Sequence, residues 1–217
     1  MSATPNLQIT EIFCSIQGES ALVGWPTVFV RLTGCPLRCQ YCDTAYAFHG
    51  GRKLALAEAL AAVQAHQGIR HVCVTGGEPL AQPASLPLMG ALCDAGYVVS
   101  LETSGALDIS AVDARVQRVL DLKTPGSGEQ ARNRWSNIDL LQPHDQIKFV
   151  LCGRDDFDWA MEQIGTRGLS ERCSIFFSPS HEQLGARELA DWILEARAPV
   201  RLQMQLHKLL WNNQPGH

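Results

Sequence analysis

A chain of 217 residues, 46% hydrophobic and 18% charged, has apolar material for one sizeable core and too little length for two domains, so residues 1–217 read as a single domain. The net charge of -4 and the lack of a Lys/Arg cluster exclude a general affinity for nucleic acid, while leaving room for one local arginine to hold a small anion. Residues 1–10 lack the basic start and apolar run of a signal peptide. The most apolar long stretch, 54–63, is interrupted by Glu58 and far too short to cross a membrane, so a soluble, cytoplasmic protein without a membrane partner is expected.

In chain order, residues 7–13 predict an edge strand and 27–32 a second strand, Thr-Val-Phe-Val-Arg-Leu. A helix is expected over 56–67, then a strand over 71–75, a helix over 85–95, and strands over 97–102 and 116–122. Further strands are expected over 147–151, 173–177 and 201–206, with helices over 156–164 and 186–196 between them. Strands alternating with helices imply parallel pairing through right-handed crossovers, hence an α/β fold. A closed eight-fold β/α barrel takes about 250 residues, so a partial, open β/α barrel is the better expectation here.

The unusual polar and glycine-rich segments fall where strands end. They are Thr33-Gly34-Cys35, Thr75-Gly76-Gly77-Glu78-Pro79, Glu102-Thr103-Ser104-Gly105, Lys123-Thr124-Pro125-Gly126, Ser178-Pro179-Ser180 and His207-Lys208. C-terminal strand ends form the ligand-binding face of parallel β/α folds, so one site assembled from the whole chain is expected.

Five of the eight cysteines, Cys14, Cys73, Cys93, Cys152 and Cys173, are scattered and read as small buried hydrophobes. The other three, Cys35, Cys39 and Cys42, are spaced C-x3-C-x2-C, a concentration of soft ligands that suits zinc or an iron–sulfur cluster. Structural zinc takes four protein ligands, usually as two separated pairs, and no second pair follows. Ordinary ferredoxin clusters also use four cysteines, so three thiols without an evident fourth suggest a cube with one iron open. Spacing alone leaves zinc and free thiols as alternatives.

C-x3-C-x2-C with Tyr41 before the last cysteine resembles the radical S-adenosylmethionine superfamily, and Thr75-Gly76-Gly77-Glu78-Pro79 resembles that superfamily's Gly-Gly-Glu motif. The segment Phe13-Cys14-Ser15-Ile16-Gln17-Gly18-Glu19-Ser20, then Arg31, Cys42-Asp43-Thr44 and the ending Gln205-Leu206-His207-Lys208-Leu209-Leu210-Trp211, is similar to the 7-carboxy-7-deazaguanine synthase family. The resemblance implies a carbon–nitrogen lyase of queuosine and 7-deazapurine synthesis. It would convert 6-carboxy-5,6,7,8-tetrahydropterin to 7-carboxy-7-deazaguanine and ammonia, using a 4Fe–4S cluster, S-adenosylmethionine and magnesium. A homodimer and an electron donor such as a flavodoxin or ferredoxin are implied with it.

The same resemblance assigns Ile16, Gln17, Gly18, Glu19, Arg31, Thr75, Glu102 and His207 to the substrate. It assigns Tyr41, Cys42, Asp43, Gly77, Glu78, Ser104, Asp121, Leu122 and Lys123 to S-adenosylmethionine, although Asp-Leu-Lys stands where many relatives have Ser-Pro-Lys. Cys35, Cys39 and Cys42 would hold the cluster, and Thr44 the magnesium. Physically, a guanidinium fork suits a carboxylate, and a glycine permits close approach to a flat ring. Two rivals make different predictions. A radical-generating activase has no use for the Gln17-Gly18-Glu19 loop, and a zinc-binding interaction module would be colourless.

Overall fold

A computed structural model describes residues 6–212, 214 and 216. Strand β1 (Asn6–Ile16) folds back antiparallel on β2 (Pro26–Leu32), and a short β3 (Arg52–Ala55) adds antiparallel to the outer side of β1. The strands β4 (His71–Gly76), β5 (Val98–Thr103), β6 (Gln117–Asp121), β7 (Gln146–Leu151), β8 (Ser174–Pro179) and β9 (Arg201–Leu202) then follow β2 in parallel. The sheet order is β3-β1-β2-β4-β5-β6-β7-β8-β9, an open β/α barrel as expected.

Helices α1 (Leu56–Gln64), α2 (Ser85–Asp94), α3 (Arg154–Arg167) and α4 (Ala186–Ala196) make four of the crossovers, and α5 (Leu206–Trp211) ends the described chain. No described helix is long and apolar enough to cross a membrane. The connection from β5 to β6 has no helix, and that from β6 to β7 carries only 3-10 turns. The strand expected over 201–206 stops at Leu202. Gln203 N–H still reaches Phe177 O at 2.9 Å, but the chain then bends so that Leu206 N–H donates to Gly18 O at 3.0 Å.

Side-chain alternation sorts each parallel strand into two faces. Ile147, Phe149 and Leu151 of β7 join the outer core with Val72 and Val74 of β4 and Val99 and Leu101 of β5, under the helices. The intervening positions carry polar groups inward: Thr75 on β4, Glu102 on β5, Asp121 on β6 and Lys148 on β7 all line the barrel interior. The open side is bridged by the loop after β1 rather than by a strand. Gln203 Nε2 donates to Ser20 O at 3.1 Å, and Ala21 N–H donates to Gln146 Oε1 at 2.7 Å.

Candidate active site

The curve of the sheet encloses a cavity of about 390 Å³, roofed by the loop after β2 and floored by the loop after β1. Cys35, Cys39 and Cys42 lie half-buried on the roof loop, and all three line the cavity. The loop is braced from several sides. Arg38 Nη1 donates to Cys35 O at 2.8 Å and to Leu37 O at 2.6 Å, with its guanidinium over the Phe48 ring. Glu78 N–H donates to Gly34 O at 2.8 Å, tying the loop to the Thr75-Gly76-Gly77-Glu78 turn.

Gly77 is the close-approach point of this joint. A Cβ there would sit 2.2 Å from Gly34 O and 2.9 Å from Cys35 Cβ, so only glycine brings the turn against the cysteine loop. Burial pushes the Cys39 thiol up to about 11 and raises Cys35 and Cys42 as well, so ligation would displace protons from all three. Cys152 adds no fourth ligand. Its sulfur lies 3.6 Å from the Gln40 amide, and it is not part of the cavity lining. Three thiols opening on one cavity without a fourth fit a cluster that leaves one iron to another ligand.

The comparisons with known proteins agree with this donor set. The Radical SAM superfamily model matches residues 29–166. A 7-carboxy-7-deazaguanine synthase of Chlorobaculum tepidum is 45% identical over 215 residues, covering 98% of this chain and 97% of the relative. Another, from Koribacter versatilis, is 43% identical and covers 94% and 97%. The chain belongs to the 7-carboxy-7-deazaguanine synthase family. In structure it is similar to the crystal structure of QueE from Escherichia coli, with a TM-score of 0.72 and 25% identity over 93% of this chain and 95% of that one. As a radical S-adenosylmethionine enzyme it uses a 4Fe–4S cluster and S-adenosylmethionine. Membership in this family sets aside both the activase and the zinc module.

Every residue that the family resemblance assigns to substrate lines the cavity: Ile16, Gln17, Gly18, Glu19, Arg31, Thr75, Glu102 and His207. Tyr41, Cys42, Asp43, Gly77, Ser104, Asp121 and Lys123 do so too, as does Thr44. Two do not. Leu122 is fully buried in the outer core, which follows from its place between the inward Asp121 and Lys123. Glu78 stands behind the wall, where its carboxylate accepts from Thr103 Oγ1 at 2.9 Å, Ser104 N–H at 2.7 Å and Ser104 Oγ at 2.5 Å. Glu78 thus orients Ser104 rather than facing the cavity.

Three of these residues also have partners within the chain. Gly18, on the side where a Cβ would point, packs against the imidazole of His207. Arg31 already has an ion-pair partner, since its Nε donates to Glu11 Oε1 at 2.6 Å, and Tyr46 OH donates to the same oxygen at 2.8 Å. Thr44 sits at the N-cap of a 3-10 turn without capping it through its side chain. Its Oγ1 instead donates to Asp43 Oδ1 at 2.9 Å.

The electrostatics are those of buried, mutually compensating charges. Burial opposes ionisation of Glu19, but Lys148 and a 2.9 Å hydrogen bond from Gln205 hold its carboxyl below the usual range. Burial also opposes the charge on Lys148, yet Glu19, Asp121 and Glu102 keep it protonated. Burial first, and the Glu19 charge second, push the Glu102 carboxyl up to about 7. Asp43 is driven the other way: burial opposes its charge, but Lys208 at 2.8 Å keeps it well below the carboxylate range. Burial lowers His207, which favours neutral imidazole.

Sequence reasoning gave no role to Lys148, to Gln205 or to the stacked pair Phe13–Phe29, whose ring centroids are 5.1 Å apart; all of them line the cavity. Lys148 did carry a signal: it is the one charge in the otherwise apolar run Ile147-Lys148-Phe149-Val150-Leu151.

Proposed function

We propose that this chain converts 6-carboxy-5,6,7,8-tetrahydropterin to 7-carboxy-7-deazaguanine and ammonia within the cavity, in the cytoplasm, as a step of 7-deazapurine synthesis. The observation that carries this reading is the meeting, in one buried cavity, of the cysteine loop with a floor of paired polar groups suited to a flat, carboxylated heterocycle. When bound and reduced, the cluster and S-adenosylmethionine supply a hydrogen-abstracting radical.

The chain's own groups bind and orient. The Arg31 guanidinium, held at Nε by Glu11, meets the substrate carboxylate, and the fork geometry fixes its direction. Phe13 and Phe29 offer an aromatic wall to the ring. Glu19, kept ionised by Lys148, accepts from the amino edge of the pterin. Glu102, with its carboxyl raised to about 7, donates or accepts at a ring nitrogen, as neutral His207 also does. Thr44 Oγ1, with its proton given to Asp43, has oxygen lone pairs for a magnesium ion that keeps waters and substrate oxygens around it.

Pro36, Arg38 and Gln40 occupy the outer, exposed face of the cysteine loop. This exposed face lies over the cysteine loop and is where an electron donor of the flavodoxin or ferredoxin kind would approach. Exposed Leu194, Leu202, Leu209 and Leu210, on the last three elements beside the β9 edge, support a homodimer through that edge.

Anaerobic incubation of the reconstituted protein with the carboxypterin, S-adenosylmethionine, magnesium and a reductant tests the reading. It predicts 7-carboxy-7-deazaguanine and ammonia in equal amounts. Cleavage of S-adenosylmethionine with the pterin left intact would sink it.

A further inference from the structure

Lys148 projects from the middle of β7 into the barrel, where its Nζ pairs with Glu19 Oε2 and lies 4.0 Å from Asp121 Oδ2. Asp121 Oδ2 in turn lies 3.0 Å from Lys123 Nζ. A chain of alternating charges, Glu19–Lys148–Asp121–Lys123, therefore crosses the floor from the loop after β1 to the end of β6. At the cofactor end, Asp121 Oδ1 is a buried polar atom with no hydrogen-bond partner among the described residues. Buried acceptors are nearly always paired, so this oxygen marks where a ligand completes the network.

The contacts of Lys148 are unequal, close to Glu19 and loose to Asp121. An ammonium is a compact point charge on a flexible stem and moves between acceptors. A ligand group that takes up part of the Glu19 carboxylate weakens its hold on Lys148, which then closes on Asp121 and fixes the direction of Asp121 Oδ1. We propose that Lys148 is a positioning residue that couples the two ligand sites, so that occupation of the Glu19 side by the pterin and of the Asp121–Lys123 side by S-adenosylmethionine strengthen each other. This rests on the assignment of Glu19 to substrate and of Asp121 and Lys123 to cofactor made above. Coupling of this kind is reciprocal, and it keeps the cofactor poorly held until the substrate is in place.

The test is equilibrium binding to the reconstituted holoenzyme with its cluster oxidised, where no turnover occurs. Pterin affinity is measured by calorimetry with and without saturating S-adenosylmethionine. Wild type is expected to bind the pterin roughly tenfold more tightly with the cofactor present, within the range usual for coupled sites. Lys148→Met brings that ratio close to one, and Lys148→Arg, which keeps the charge, retains most of it. Because Lys148→Met leaves the buried Glu19 carboxylate without its cation, the double variant Glu19→Gln/Lys148→Met is measured alongside, and its ratio also falls to about one. Under reducing conditions, both Met-bearing variants release several-fold more 5′-deoxyadenosine per pterin consumed than wild type. A merely structural lysine would lower both affinities together without changing their ratio. A wild-type ratio in Lys148→Met and in the double variant overturns the proposal. Failure of wild type to bind the pterin at all overturns instead the substrate assignment beneath it.

Discussion

Gly18 and His207 are packed so closely that a methyl group on Gly18 would lie 2.4 Å from the imidazole Nδ1 and 3.0 Å from the His207 backbone nitrogen. Leu206 N–H donates to Gly18 O across the same junction, so the loop after β1 and helix α5 form one unit of the cavity floor. Gly18→Ala must therefore push His207 and the start of α5 away from the cavity. Overpacking of this kind costs about 1–3 kcal/mol. The expected result is a Tm lower by roughly 2–12 °C, at about 2–4 °C per kcal/mol for a chain of this size. A rise in pterin KM larger than the fall in kcat accompanies it. An unchanged KM would mean that His207 takes no part in binding.

Replacing Cys35, Cys39 or Cys42 by Ala is expected to abolish cluster assembly, since each thiol lines the cavity and no fourth joins them. Cys152→Ala should leave assembly intact although Cys152 touches Gln40 within the same loop, because its sulfur is outside the cavity. Iron and sulfide content after anaerobic reconstitution reads both outcomes. S-adenosylmethionine added to the reduced wild-type cluster should also change its electron paramagnetic resonance spectrum, as an open iron requires.

Much of this site could be read before the structure, for a physical reason. Parallel β/α folds gather ligand-binding groups at strand ends, so Thr75, Glu102 and Lys123 were placed together by knowing only where strands stop, while Asp121 came from the family resemblance alone. Neither strand-end position nor resemblance says which face a side chain takes, and the side chains of Leu122 and Glu78 turn away from the cavity. Pairings between residues remote in sequence had no local signature at all. Lys148 meets Glu19 across 129 residues, and Gln205 meets Glu19 across 186. The short strand β3 and helix α5 were also missed. Each is too short for a periodic pattern to show, and α5 is fixed by docking on the loop after β1 rather than by its own composition.

Arg31 and Thr44 have separable tasks. A charge-assisted hydrogen bond is worth about 1.5–3 kcal/mol, so Arg31→Ala is expected to weaken pterin binding by roughly one to two decades. Arg31→Lys should recover part of the loss, as charge is kept while the fork and its Nε contact to Glu11 are gone. Thr44→Val keeps the side-chain shape but removes Oγ1, and should blunt the response of turnover to added magnesium. Both should still assemble the cluster. Wild-type pterin affinity in Arg31→Ala, with a normal magnesium response in Thr44→Val, would leave these two assignments without support.

Glu102 gives the protein a pH signature that needs neither cluster nor substrate. Burial, reinforced by the Glu19 charge, raises its carboxyl from an ordinary value of 4.5 to about 7. Between those two values the folded chain holds a proton at Glu102 that the unfolded chain has released. Stability contributed by this group is therefore complete below about 4.5 and is lost as pH rises through about 7. Glu102→Gln keeps the shape and cannot ionise, so it escapes that loss. The variant should gain on wild type steadily from about pH 5 to pH 8, by up to about 3 kcal/mol, since each tenfold change in proton affinity is worth about 1.4 kcal/mol. Urea midpoints of the cluster-free proteins, measured side by side at each pH, isolate Glu102, because every other titratable group is common to both chains. Parallel curves for the two proteins would show that Glu102 ionises normally, and its role as a protonated donor to the substrate would fall with that result.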